Sequence, residues 1–292
     1  ASAPATPRSS PDAPGTGHLP TRYAIQRELG RGGMGRVLLA LDSRIERTIA
    51  LKQMHPDVAR TRRDTIPLAR FQREAKLTGR LEHPSIIPVY DLGETDDGSQ
   101  YCTKRYIQGR SLAERLTRCD TLQERLHFLP NVRDVCNAIA FAHDHGVIHR
   151  DIKPANIMIG EYGETVVLDW GLAKAQGEAE EEPAGRQDAA PEPSDANHTV
   201  AGSALGTPAY MPPEQALGRL EEIDARSDVY SLGAVLYEVL TGTPPFTGKT
   251  VHELLLQVVE RTPDPVARHA PEAPAELSAV ATRTLSRRPA DR

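Results

Sequence analysis

Cysteine is scarce in this chain: three residues in 292, at Cys102, Cys119 and Cys136, with no CxxC pair among them. Three thiols cannot all be bridged to one another, so a disulfide framework is excluded, and a zinc finger has no ligand pattern to use. A reducing, cytoplasmic setting is the expectation. An excess of positive charge is also lacking, since charged residues make up 26% of the chain and the formal net charge is −5. Without a basic field, nucleic acid is not an expected partner. No apolar run approaches the roughly 20 residues that a helix needs to cross a bilayer. No membrane segment is therefore expected in this chain, while an anchor elsewhere in a longer protein would be compatible with it. Internal repeats are absent. What remains is a chain long enough to bury a substantial core, as one large domain or as two lobes.

Residues 1–20, "ASAPATPRSSPDAPGTGHLP", have almost nothing to bury and read as a disordered leader. From residue 21 to about 106 the pattern is one of short strands, "YAIQREL", "RVLLALD", "TIALKQM" and "SIIPVYDLG". Between them, "DTIPLARFQREAKLTGRL" spaces Leu68, Phe71, Ala75 and Leu81 as one face of a helix. From 107 to 292 helices dominate. The stretch "LQERLHFLPNVRDVCNAIAFAHDHG" aligns Leu126, Leu129, Val132, Val135, Ile139 and Ala142 on one stripe and stops at Gly146. "DVYSLGAVLYEVLTG" predicts a buried helix ending at Gly242, and "VHELLLQVVER" a shorter amphipathic one. Residues 175–198 hold seven acidic side chains against the single basic Arg186, the composition of a solvated loop.

The chemistry-bearing residues come in order along the chain. "GRGGMGRV" contains GxGxxG as Gly30, Gly32 and Gly35. A dinucleotide-binding loop would open a helix, whereas here the strand "RVLLALD" follows, which suits a hairpin whose bare backbone folds over phosphates. Such a hairpin needs a lysine on the next strand, and "TIALKQM" supplies Lys52, with Ala50 leaving room for a flat base. Glu74, on the helix that follows, can orient that ammonium. Taken singly, a strand lysine is usually solvated and a helix glutamate is surface decoration. In "HRDIKPAN", Asp151 can accept a proton from an attacking hydroxyl, Lys153 can steady a transferring phosphoryl group and Asn156 can bind a metal. "VVLDWGLA" is expected to end a strand with Asp169, a second metal ligand. Phosphoryl transfer demands positioning and charge neutralisation, so carboxylate, cation and amide must converge. A rival reading takes His143, His145 and His149 as a metal cluster, but only the last two have i, i+4 spacing, and Gly146 lies between them. His149 is better read as a packed loop histidine.

These motifs, with "GTPAYMPPE" and "SDVYSLG" after them, stand in the order of a known family. From about Tyr23 to Arg292 the chain resembles a bacterial, eukaryotic-like serine/threonine protein kinase catalytic domain. The resemblance implies a two-lobed α+β fold, with a small N-terminal sheet lobe carrying one main helix and a larger, mostly helical C-terminal lobe. It implies ATP and Mg2+ in the cleft and transfer of the γ-phosphate to protein Ser and Thr hydroxyls, the chain's own included, with room for a dimer in which one copy phosphorylates another. The nucleotide is expected to meet Gly30, Arg31, Gly32, Gly33, Gly35, Val37, Ala50, Lys52 and Met158. Lys52 would pair with Glu74, Asp151 would be the base, Lys153 would contact the γ-phosphate, and Asn156 and Asp169 would hold the metal. Asp228 would brace the catalytic loop and Thr207 would support the substrate. Glu214 would pair with Arg292, which the resemblance places just before a final helix missing from this chain. A nucleotide-binding pseudokinase and a small-molecule phosphotransferase are the other readings, and the second would have no use for "GTPAYMPPE".

The chain departs from the family pattern at several points. Trp170 stands where a phenylalanine is usual in the Asp-Phe-Gly motif, and Pro212 where an alanine is usual. Lys104 falls at a normally apolar position behind the adenine and Arg105 at the first hinge residue, from which it can point outward. A buried, unpaired ammonium is costly. Lys104 is therefore expected either to extend its ammonium outward or to reach Glu74 and compete with Lys52. Arg150, beside the base, suits a phosphate on the activation segment 169–214, with Thr199 and Ser203 ahead of Thr207 as acceptors.

Overall fold

The computed structural model describes residues 19–32, 35–54, 65–175 and 208–292. Its N-terminal part is a five-stranded antiparallel sheet of β1 (Tyr23–Gly32), β2 (Gly35–Asp42), β3 (Arg47–Met54), β4 (Val89–Glu94) and β5 (Gln100–Arg105), in the order β1-β2-β3-β5-β4. Side chains alternate between the faces of a strand. Leu38, Ala40, Ile49, Leu51 and Tyr101 accordingly gather with Tyr23 in one buried cluster. On the opposite face, Met54 and Cys102 receive Phe71 and Ala75 of helix α1 (Thr65–Gly79). Leu81 is buried beyond the end of that helix, whereas Leu68 is 37% exposed: the buried part of the stripe begins at Phe71.

The C-terminal part begins with β6 (Gly109–Ser111), α2 (Leu112–Leu116), α3 (Leu122–Leu126) and α4 (Leu129–Asp144). The sequence suggested one continuous helix through Leu126 and Leu129, but the structure breaks it between α3 and α4. Pro130 explains the break. Its ring and missing N–H would disrupt a helix interior but are accommodated in a first turn, where it now sits. Thr121 and Glu124 cap α3 reciprocally. Gly146, at φ 70°, turns the chain after α4 into the short strand β7 (Val147–Ile148).

Then come β8 (Ile157–Gly160), β9 (Thr165–Val167) and β10 (Lys174–Ala175). Strand β9 ends at Val167, two residues earlier than the sequence suggested, and Asp169 follows with a left-handed φ of 50°. Helices α5 (Pro213–Ala216), α6 (Ala225–Thr241), α7 (Val251–Glu260), α8 (Val266–His269) and α9 (Ala275–Thr284) complete the lobe. Helix α6 runs through the interior, with Tyr230, Ala234, Val235, Val239 and Leu240 almost inaccessible. The main core joins α4, α6 and the β8–β9 hairpin to Leu77, Leu81, Ile86 and Ile87. No helix among the described residues is long and apolar enough to cross a membrane.

Candidate active site

Strands β1 and β2 bring Gly32 opposite Gly35 at the end of their hairpin, with Gly30 opposite Val37. A side chain at Gly35 would run into the backbone of Gln53, so the close approach of β2 to β3 requires glycine there. Nothing lies within 4 Å of the Cβ positions of Gly30 and Gly32. Arg31 is exposed and pairs with Glu28 at 3.1 Å. On the neighbouring strands Val37 lies opposite Lys52, and Ala50 lies opposite Lys104. Met158, on β8, is partly buried against the main core.

Lys52 Nζ lies 2.7 Å from Oε2 of Glu74, and Lys104 Nζ lies 2.7 Å from Oε1 of the same carboxylate. Lys104 therefore reaches Glu74, but it takes the second oxygen and leaves the first to Lys52, so the two lysines share the carboxylate. Glu74 is only 3% exposed. Burial alone would push its pKa up, yet the charges of Lys104 and Lys52 hold it down at about 2. For Lys104, burial works against the charge, while Glu74 more than offsets it and raises the ammonium above its ordinary value. Arg105 is half-exposed and lies 3.9 Å from Glu164.

The loop after β7 gathers the second set. Lys153 Nζ donates to Asp151 at 2.8 Å, and Asn156 Nδ2 donates to the same carboxylate oxygen at 3.0 Å and to the Asp151 carbonyl at 2.8 Å. This commits the amide nitrogen of Asn156 and leaves its oxygen to meet a cation. An amide oxygen, like the carboxylate of Asp169, is a hard donor of the kind a small divalent ion takes. Among the described residues no group of three or more His, Cys, Asp or Glu side chains could hold a metal. An ion here would take its remaining ligands from phosphate and water.

Asp228, from α6, braces this loop. It accepts the backbone N–H groups of His149 and Arg150 at 2.8 and 2.9 Å, and its Oδ2 also lies 2.7 Å from His143 Nε2. His149 is fully buried; its Nδ1 accepts the Asp151 N–H and its Nε2 faces the Leu168 carbonyl. His145 Nδ1 lies 2.8 Å from the Phe141 carbonyl. All three histidines thus have their own separate partners, and the structure gathers no histidine cluster. Trp170 packs against His149 with ring centroids 4.6 Å apart, fully buried, its indole N–H unpaired among the described residues.

Beyond the loop, Arg292 makes a two-pronged pair with Glu214 at 2.6 and 2.8 Å, and the Ser227 hydroxyl donates to the same carboxylate. Tyr210 donates to Glu238 at 2.6 Å. Burial, with Glu238 beside it, raises the Tyr210 pKa, and burial likewise raises that of Glu238. Gln215 donates to the Arg150 carbonyl. The sequence reading missed the His143–Asp228 contact, since nothing local ties residues 85 positions apart. Gly33, Thr199, Ser203, Thr207 and the insert past Ala175 lie outside the described residues.

The model of the protein kinase domain matches residues 23–292. The chain belongs to the protein kinase domain family. It is 39% identical over 280 residues to the serine/threonine-protein kinase PknB of Mycolicibacterium smegmatis, covering 94% of this chain and 41% of that protein. Identity to PknB of Mycobacterium tuberculosis is 38% over 278 residues, again covering 94% and 41%. The chain thus spans about two fifths of the length of these curated relatives. The crystal structure of the Mycobacterium tuberculosis PknI kinase domain superposes with a TM-score of 0.67 at 26% identity, covering 96% of this chain and 94% of that one. The fold is therefore the two-lobed α+β protein kinase fold, and the domain is of the bacterial, eukaryotic-like Ser/Thr type. Protein kinases as a family use ATP and a divalent metal and act on protein substrates.

Proposed function

We propose that this domain moves the γ-phosphate of ATP onto Ser and Thr hydroxyls of proteins, its own chain among them, with Mg2+ as the divalent ion. The observation that carries the reading is the convergence on Asp151, where an ammonium and an amide fix the carboxylate from opposite partners in one loop. Held in this way, Asp151 accepts the proton of the attacking hydroxyl. Lys153, which donates to Asp151, passes its charge to the transferring phosphoryl group. Lys52 neutralises the inner phosphates, and the backbone at Gly30, Arg31, Gly32, Gly33 and Gly35 covers them. Val37, Ala50 and Met158 enclose the base. Asn156 and Asp169 would hold Mg2+, which when bound spreads the negative charge of the phosphate oxygens.

We divide the chain into a leader at 1–20, a sheet lobe at 21–106 and a helical lobe at 107–292. Arg150 supports a switch in which phosphate on Thr199 or Ser203 orders the activation segment. Transfer onto that segment between two copies would require a dimer. The proposal is tested by incubating the protein with γ-labelled ATP and a generic protein substrate, with and without a chelator, and hydrolysing the product to amino acids. Label on phosphoserine or phosphothreonine that disappears with the chelator is expected. Label confined to tyrosine or to a small molecule, or no label at all, would contradict it.

A further inference from the structure

The five-stranded sheet places two lysines on one face of the cleft. Lys52 lies opposite Cys102 across β3 and β5, so Lys104, two residues further along β5, is its diagonal neighbour on the same side. Glu74 stands over both and gives one oxygen to each. The groups around this carboxylate are Lys52 from β3, Cys102 and Lys104 from β5, and the Asp169–Gly171 segment, whose Asp169 also acts on Lys104. The Glu74 carboxylate thus meets two ammoniums, one at each oxygen.

We infer that Lys104 is a positioning residue that keeps Glu74, and with it helix α1, neutralised and docked while Lys52 turns its charge to a nucleotide phosphate. This rests on the proposed phosphoryl transfer at the same cleft. With a single lysine, one ammonium must serve the buried carboxylate and the phosphates together, and the two anions share one cation. With two, Oε1 keeps its counter-charge throughout. Lys104 acts through Glu74 and not by touching the nucleotide.

The test is ATP affinity, measured directly by titration together with KM and kcat, for the parent and for Lys104→Met, Lys104→Gln, Lys104→Arg, Lys52→Ala and the Lys52→Ala/Lys104→Met double variant. Removing the charge should weaken ATP binding about fivefold, with KM rising in step and kcat changing less. Lys104→Arg should restore affinity to within about twofold of the parent. In the Lys52→Ala background, Lys104→Met should weaken ATP binding less than it does in the parent, because Lys52 is no longer there to be divided between Glu74 and a phosphate. The Met and Gln variants make the same comparison twice, so that a folding failure of one leaves it intact. Unchanged affinity without the Lys104 charge, or the same loss with and without Lys52, would overturn the inference. Because affinity is read without turnover, a parent that bound ATP in this pattern but transferred no phosphate would refute the transfer reading alone.

Discussion

Glu74 concentrates electrostatic demand in the cleft, being nearly inaccessible yet held ionised by two lysines. Replacing it with glutamine leaves both ammoniums facing a neutral amide. Breaking a buried pair in this way costs about 3–5 kcal/mol. A domain of this size should then lose on the order of 10 °C in thermal midpoint, which calorimetry would read. The same carboxylate sets a pH dependence. Its pKa falls from an ordinary 4.5 to about 2 in the folded state. Its stabilising contribution is therefore complete above the higher value and is lost as pH falls toward the lower one. Denaturation followed from about pH 5 to pH 3 should show a shallower decline for Glu74→Gln than for the parent. The pairing of Lys104 could not be decided from the sequence, because extending outward and turning inward both satisfy an ammonium. Only the helix standing over β5 decides between them.

Among the elements, those legible in advance carried their own boundary signals. Helix α6 reads as a buried run closed by Gly242, and the structure ends it there in a left-handed residue at φ 79°. Arg125 completes that end by donating to the carbonyls of Val239 and Leu240, a contact across more than 110 positions that no local pattern announces. A Cβ at Gly242 would press on the Arg125 guanidinium at 3.3 Å as well as straining the backbone. Gly242→Ala should therefore cost about 1–2 kcal/mol by urea denaturation, with the m-value unchanged. The break between α3 and α4 shows the opposite case. Apolar spacing carried on through Leu126 and Leu129, and Pro130 overruled it. The exposure of Leu68 has a similar origin, since periodicity marks a helix face but not where along the helix the sheet begins to cover it.

At the scale of the whole molecule, stability in the helical lobe depends on charges that meet across long separations. The Arg292 side chain is fully buried and pairs with Glu214, which is 2% exposed, over 78 positions. Among the described residues, Arg292→Met leaves that carboxylate the Ser227 hydroxyl as its side-chain hydrogen-bond donor, and it should cost about 3–5 kcal/mol in chemical denaturation. The contacts of the candidate site, Lys52 on Glu74 and Lys153 and Asn156 on Asp151, join residues that the sequence singles out, because they lie in short contiguous motifs. Its braces were readable only in part. Asp228 and Glu214 could be assigned through family resemblance, while His143 beneath Asp228 and Tyr210 on Glu238 arise from packing between separate helices.

The central claim is that Asp151 takes the proton from the attacking hydroxyl, with the nucleotide held by other groups. Single-turnover phosphate transfer and ATP affinity measured side by side on Asp151→Asn test it most directly. The account predicts transfer slowed by about 10²–10⁴-fold with ATP affinity retained. Transfer at the parental rate from a variant with no carboxylate at position 151 would contradict it.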